Sequence, residues 1–466
     1  WRIMQPYAPL GTIYAAALVR EHGYDVSLHD VMFAEGPETL EQVLQSVKPD
    51  ILAIYDDGFN YLTKMCLTNM REAAFRMSKM AKQYGCKVIV SSSDSTDHFD
   101  KYLDHSADCI IIGEAENTLL EIADMLKDGK DDWASISGIT YRQDGQTIRT
   151  VARPVKTDLD SLPFPAWDLV DVDKYRQAWL QSSGYFSINM GTTRGCPYKC
   201  NWCAKPIYGN RYNARSPENV VKELKQLYNK YYFEHIWFCD DIFGLKPGWV
   251  KRFADLVKAE GLQFKFKIQS RADLLLKDEQ IQPLADAGCD NVWMGAESGS
   301  QRILDAMDKG TTTEQIAEAT RLLKQYGIKP AFFLQFGYLG ETMEDIQLTL
   351  EMVKKLVPAD IGISVSYPLP GTKFYEKVRE QLGEKTNWTD SDELALMFRN
   401  TYKPDFYKQL HRYVHALFRK ATAGLKAKNI LKHPAALSIT DAYTALKWPY
   451  YFIREKQQKR LLNKLL

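Results

Sequence analysis

Between Phe186 and Tyr367 six short apolar runs recur, each separated from the next by a stretch of helical periodicity. They are Phe186–Met190, His235–Cys239, Phe264–Gln269, Asn291–Met294, Ala331–Phe336 and Ile361–Tyr367. Strands alternating with helices pair in parallel, because each helical crossover returns the chain to the same end of the sheet. Every run stops at a polar or glycine-bearing stretch. In closed and partial α/β barrels alike, chemistry sits at those carboxyl ends.

The loop after the first run carries the densest chemical signal, Cys196-Pro-Tyr-Lys-Cys200-Asn-Trp-Cys203. Three thiolates spaced four and three residues apart can hold three irons of a four-iron cluster. Such clusters normally have four Cys ligands, so one iron would stay open to a substrate or cofactor. A tetrahedral zinc site wants a fourth Cys or His nearby, and the next ones, His235 and Cys239, fall on a distant strand. Cys66, Cys86, Cys109, Cys239 and Cys289 lie on or beside apolar stretches and are expected in the core. The Cys pattern is not that of a secreted disulfide framework.

Residues 1–130 repeat the alternation. Asp25–His29, Asp50–Tyr55, Lys87–Ser91 and Asp108–Gly113 read as strands, with helices between them such as Gly11–His22 and Leu67–Tyr84. The expectation is a doubly wound parallel sheet with ligand contacts at the strand ends. Those ends are Asp30, Tyr55-Asp56-Asp57, Ser91-Ser92-Ser93 and Gly113-Glu114-Ala115-Glu116. No Gly-rich fingerprint follows any strand, which disfavours a nicotinamide or flavin site. Residues 131–185 read as a connector: Asp144-Gly145 predicts a hairpin turn, and Leu162–Trp167 is too Pro-rich for a helix.

Residues 383–466 read as a helical C-terminal region. Its last stretch is basic and interleaved with Trp448, Tyr450, Tyr451 and Phe452. Such a helix is a candidate for peripheral contact with an anionic membrane, or equally for a solvated helix on the barrel rim. His411 and His415, four apart, are expected to pack rather than to bind metal. A net charge of +1 gives no reason to expect a nucleic-acid partner. No apolar run is long enough to cross a bilayer, and the default expectation is cytoplasmic. Because the first residue is Trp1 rather than Met, we expect that an N-terminal segment has been lost.

Cys-x3-Cys-x-aromatic-Cys resembles the motif of radical S-adenosylmethionine (SAM) enzymes, and the resemblance extends over roughly residues 1 to 380. It implies an incomplete (β/α)6 barrel over 186–382 and a 4Fe-4S cluster on Cys196, Cys200 and Cys203. It also implies SAM chelated to the open iron, and a reductase partner such as a flavodoxin or ferredoxin. In that family SAM is cleaved reductively to methionine and a 5′-deoxyadenosyl radical. Further matching strings imply SAM contacts. Trp202 would present its backbone to adenine. Asp240-Asp241 would receive the ammonium, the other reading being a helix N-cap pair. Ser270-Arg271 would hold the carboxylate, or Arg271 would form an ordinary salt bridge to Asp273 or Glu297. Gly295-Ala-Glu297-Ser-Gly299, followed by Met307-x-Lys309-Gly310, matches a string in which the Glu lies near SAM. Gln335-Phe-Gly337-Tyr-Leu339-Gly340-Glu341-Thr342 resembles a turn where glycine lets the backbone approach adenine, with Leu339 in place of the usual Pro. Tyr367-Pro-Leu-Pro370-Gly371-Thr372 matches a mainly structural motif.

Pro9-Leu10-Gly11-x-x-Tyr14-Ala15-Ala16-x-Leu18, Gly23-Tyr-Asp-Val26, Pro49-Asp50 and Gly113-Glu114-x-Glu116 resemble the cobalamin-binding domain that precedes the barrel in one radical SAM subgroup. The implied cobalamin contacts are Leu10, Gly11, Asp30, Ser91, Ser92, Ser93, Gly113, Glu114 and Glu116. The chain departs from the pattern at Ser92-Ser93-Asp94-Ser95, where a Gly-Gly-x-His-like loop is usual, and Asp-x-His-x-x-Gly is absent. A degenerate domain that only packs on the barrel is the other reading. The subgroup implies methylation of an unactivated carbon in a small-molecule or lipid substrate. The alternatives are an oxidative cyclisation or rearrangement without methyl transfer, as in the anaerobic cyclase of chlorophyll biosynthesis, and a non-catalytic cobalamin- or cluster-binding sensor.

Overall fold

The computed structural model describes residues 5–55, 68–205, 207–277, 280–382, 398–432 and 438–466. Asp56, Asp57 and Cys66 lie outside them. The first sheet runs in the order β1 (Ile51–Tyr55), β2 (Lys87–Ser91), β3 (Cys109–Ile111), β4 (Ile139–Gln143), β5 (Gln146–Arg149). β1, β2 and β3 are parallel, and the β4–β5 hairpin adds antiparallel to β3. The sheet is therefore mixed rather than wholly parallel. Asp144 and Gly145 have φ of 50° and 76°, the left-handed pair that a tight hairpin turn needs.

Side chains alternate across this sheet, as the pleat requires. Val88, Val90 and Ile110 meet Leu40, Leu44, Ala74 and Ala81 from the helices Leu40–Val47 and Thr68–Gln83. Ile89, Cys109 and Ile111 meet Ala15, Val19, Leu119 and Ile122 from Leu10–Glu21 and Glu116–Lys127. The strand expected at Asp25–His29 does not form. That run has only two apolar residues, and Val26 and Leu28 pack separately, each against different core clusters. Asp30 then ends it by capping the 3-10 turn Val31–Phe33.

The second half begins with β6 (Ser187–Met190), a short antiparallel ribbon of β7 (Thr193–Arg194) and β8 (Asn213–Ala214), and β9 (His235–Phe238). It continues with β10 (Lys265–Ser270), β11 (Cys289–Glu297), β12 (Lys329–Phe336) and β13 (Asp360–Val365). All six expected strands form, all pair in parallel, and they lie in the order β13-β12-β11-β10-β9-β6. Two edges remain, so the sheet does not close on itself. Ile236, Phe238, Phe266, Ile268, Val292, Met294, Phe332 and Leu334 build its core. By alternation the other face carries Asn189, Trp237, Lys267, Trp293, Phe333 and Gln335. Cys86, Cys109, Cys239 and Cys289 are buried, as expected of core thiols.

Helix Pro404–Lys432 inserts Phe406, Leu410, Val414 and Leu417 into the same core, and Trp448–Asn463 lies along it. The Pro-rich segment crosses to the N-terminal domain: Ala166 N donates to Ile13 O at 3.0 Å and Trp167 is buried. Trp167 also belongs to the core of the second half, so the segment ties the two halves together.

Candidate active site

The cysteine loop leaves the sheet through β7 and returns through β8. Gly195 makes the entry turn at φ 79°, and a Cβ there would stand 2.4 Å from Arg211 O, so glycine alone fits. Cys196, Cys200 and Cys203 are half-buried and stand outside any disulfide. Asn201, between the last two, pins the loop to the barrel through all four of its polar groups. Its N donates to Met307 O (3.0 Å) and its Nδ2 to Ala306 O (2.7 Å). Its Oδ1 accepts from the Tyr338 hydroxyl (2.8 Å), and its O accepts from Phe374 N (2.9 Å).

Two cations face this loop. Arg271 lies with its guanidinium carbon 3.7 Å from the centre of the Tyr198 ring and its Nη1 3.8 Å from Cys200 Sγ. Asp273 holds it from behind (2.9 Å), and Nη2 donates to Lys309 O (2.7 Å). The salt bridge to Asp273 therefore exists, and it aims the guanidinium at the cluster loop. Lys309 is buried and donates to Glu297 Oε1 at 2.7 Å. Burial alone would lower the Lys309 pKa, but the Glu297 and Cys200 charges together raise it. Glu297 sits where the β11–β12 register shifts and has φ 53°. Gly295 leaves the space: a Cβ there would be 2.4 Å from Lys309 Nζ and 2.7 Å from Glu297 Oε1.

Asp240 and Asp241 part company. Asp240 is buried and accepts from Thr192 N (2.7 Å), Thr192 Oγ1 (2.5 Å) and Thr193 N (2.9 Å), bracing the turn that launches the loop. Burial pushes its carboxyl up to about 6. Asp241 is exposed and lies close enough to Cys196 to act on its charge. Neither caps a helix, since the next one starts at Trp249 after Gly248. Ser270 is buried at the end of β10.

On β12, Gln335 is buried with neither amide atom hydrogen-bonded. Gly337 N donates to Glu341 Oε2 (2.7 Å), while Glu341 Oε1 has no partner and burial pushes that carboxyl up to about 8. The Trp202 indole N–H is also buried without a partner. Leaving a buried donor or acceptor unmade costs about 1–3 kcal/mol. Of these, the Gln335 amide at the strand end and the Trp202 indole on the loop are where a bound group would gain most, whereas Glu341 lies near Asp345, Arg302 and Tyr407. The three thiols, two cations and unmade polar contacts fit an iron–sulfur cluster with a polar ligand beside it.

The residues expected on the corrinoid side are placed differently. Glu114 Oε1 accepts from Arg194 Nη1 at 2.7 Å and Glu116 Oε1 from Arg194 Nη2 at 2.6 Å, with all three side chains buried. They clamp the N-terminal domain to β7, two residues before Cys196. Asp30 is not at a strand end: it accepts from the Tyr175 hydroxyl (2.5 Å) and from Met32 N (3.0 Å). Ser92 is tied up in a capping box with Ser95. Ser91 and Ser93 are buried at the end of β2. Leu10 and Gly11 are buried in the first turn of Leu10–Glu21. Gly113, at φ 86°, lies against the loop, with Ile207 O 3.5 Å from the position of a Cβ. His411 and His415 face one another at 3.2 Å, and among the described residues no three His, Cys, Asp or Glu side chains, the loop cysteines included, converge on a single metal ion.

Sequence reasoning missed Asn201 and Arg194, because the partners of each lie far along the chain. It also quoted Lys309 without pairing it to Glu297, although the twelve-residue separation in the Gly-x-Glu string was the available signal.

Residues 190–353 match the radical SAM superfamily. An uncharacterized methyltransferase of Pyrococcus horikoshii is 29% identical over 82% of this chain and 80% of its own length. The anaerobic magnesium-protoporphyrin IX monomethyl ester cyclase of Rubrivivax gelatinosus is 25% identical over 82% of this chain and 68% of its own. The structure of the cobalamin-dependent SAM radical enzyme OxsB with aqua-cobalamin bound shares the fold. Its TM-score is 0.73 at 18% identity, over 97% of this chain and 70% of that one. Residues 190–353 thus carry a radical SAM domain, and the chain as a whole is similar to proteins named as methyltransferases and as anaerobic magnesium-protoporphyrin cyclases.

Proposed function

We propose that the protein is a cobalamin-dependent radical SAM methyltransferase acting on an unactivated carbon. When bound, the cluster with SAM supplies hydrogen-atom abstraction and the corrinoid supplies a methyl group. Cys196, Cys200 and Cys203 would hold the cluster. Arg271 and Lys309 set two positive charges beside the Cys200 sulfur, which suits the carboxylate of a ligand on the open iron. Glu297 is engaged by Lys309, so its part is to hold that amine in place. Gln335 offers an amide donor and acceptor, and the Trp293–Phe333 pair (ring centroids 4.8 Å) adds an apolar wall on the same sheet face.

For the corrinoid, the end of β2, the helix that follows it and the turn after β3 offer the Ser91 and Ser93 hydroxyls and the Gly113 backbone. That set fits a polar nucleotide tail; Glu114, Glu116 and Asp30 have protein partners and are not counted in it. The observation that carries the reading is the Arg194 clamp, which fixes the cobalamin-domain-like half directly against the cysteine loop. The cyclase reading is favoured by the cyclase relatives, the Rubrivivax protein among them.

The test is anaerobic reconstitution with and without hydroxocobalamin, followed by SAM, a low-potential reductant and mass spectrometry of the products. Deoxyadenosine together with cobalamin-dependent S-adenosylhomocysteine supports methyl transfer. Deoxyadenosine alone favours the cyclase or another radical outcome, and neither product from cluster-loaded protein overturns the enzyme reading.

A further inference from the structure

The C-terminal helices are built inside out. Trp448–Asn463 turns Glu455 and Gln458 inward, where Gln409 Nε2 donates to Gln458 Oε1 (2.8 Å), and Tyr413 and Lys420 reach Glu455 (3.3 and 3.2 Å). Its opposite face puts Tyr450 and Ile453 into solvent, 60% and 57% exposed. The preceding helix, Ile439–Leu446, buries no residue at all. Ile439, Tyr443 and Leu446, at i, i+4 and i+7, form one stripe on it, and Ile439 and Leu446 are 90% and 79% exposed. Close to half of the large apolar side chains that the described residues leave exposed lie beyond Gly424. Scattered exposed apolar residues are ordinary, whereas a concentrated patch marks an interaction surface.

The charge around this patch selects what covers it. Arg454, Lys456, Lys459, Arg460 and Lys464 are all exposed. The two acidic residues after position 437, Asp441 and Glu455, are bonded to Lys426 (2.8 Å) and Lys420 of the neighbouring helix. A second copy meeting this face symmetrically would bring the same basic residues together. An anionic surface with an apolar interior complements both features at once. We propose that the helices Ile439–Leu446 and Trp448–Asn463 dock the protein peripherally on an anionic lipid bilayer, with the Ile439–Tyr443–Leu446 stripe entering the acyl boundary and the lysines and arginines contacting headgroups.

The experiment is flotation of the full chain with phosphatidylcholine vesicles, with and without phosphatidylglycerol. The expected result is co-flotation with the anionic vesicles only, weakened by salt. Ile439→Asp combined with Leu446→Asp should reduce the floated fraction about tenfold while leaving the melting temperature unchanged, since both side chains are exposed. Arg454→Ser with Lys459→Ser should weaken binding and flatten its salt dependence. The proposal is overturned if the chain stays unbound, floats equally on neutral vesicles, or floats undiminished with the aspartate pair. It is also overturned if sedimentation shows a dimer that the aspartate pair dissociates, which would make the stripe a contact between copies.

Discussion

The hydroxyl of Tyr338 donates to Oδ1 of Asn201 at 2.8 Å, joining the turn after β12 to the middle of the cysteine loop 137 residues earlier. With the bonds to Met307, Ala306 and Phe374, this contact gives a loop without regular secondary structure a fixed seat at the strand ends. A ligand constellation needs its geometry held by such supporting contacts.

Asn201→Ala is therefore expected to lower iron and sulfide retention after reconstitution while leaving the fold intact. The stability cost should be about 1–3 kcal/mol, from buried partners left unbonded. Iron quantitation together with the unfolding midpoint of the apo protein checks this. Full iron occupancy at wild-type stability would contradict the seat.

Arg194→Met leaves Glu114 and Glu116 buried without their cation. Breaking such a pair costs about 3–5 kcal/mol, to be read from denaturant midpoints. Arg194→Lys should recover little of it, because one ammonium cannot reproduce a planar fork that reaches two carboxylates. A loss below about 1 kcal/mol for the methionine variant would mean that the two halves are held elsewhere.

Gly295→Ala should push Lys309 away from Glu297, since the added methyl would overlap both side chains. Overpacking of this kind costs about 1–3 kcal/mol. The more telling readout is SAM affinity by equilibrium dialysis against the cluster-loaded protein. We expect it to fall, with Glu297→Gln falling in the same direction. Unchanged affinity in both variants would remove the Glu297–Lys309 pair from the SAM side of the site.

Glu341 supplies a pH test. Its carboxyl is raised from 4.5 to about 8 by burial, so between those values the folded state binds a proton that the unfolded chain releases. Stability from this group is fully present below about pH 4.5 and is lost as pH rises through about 8. Glu341→Gln keeps an acceptor for Gly337 N and removes the titration. Its stability relative to the wild type should therefore rise by a few kcal/mol from pH 5 to pH 8. Parallel curves for the two proteins would show that Glu341 is ionised in the fold.

The strands were legible because each is a concentrated apolar run, and the hairpin because Asp144-Gly145 demands two positive φ values. Asp25–His29 was misread because polar residues alternate there with only two apolar ones, a pattern that an extended segment satisfies without pairing. Within the site, the cysteine triplet and the Gly295–Glu297 string are local and could be read directly. Asn201 and Arg194 could not. Each looks like an ordinary loop residue until folding delivers Tyr338 and Met307 to the one, and Glu114 and Glu116 to the other. The same holds for Glu114 and Glu116, whose strand-end position suggested a ligand while a buried arginine from the other domain claims both.

The most direct test of the account is electron paramagnetic resonance of the reconstituted, dithionite-reduced protein with and without SAM. We predict a 4Fe-4S signal whose g-values change when SAM is added, a signal lost in Cys200→Ala, and a weaker response to SAM in Arg271→Met. A cluster signal indifferent to SAM, or one that survives in Cys200→Ala, would contradict the three-cysteine site with its open iron.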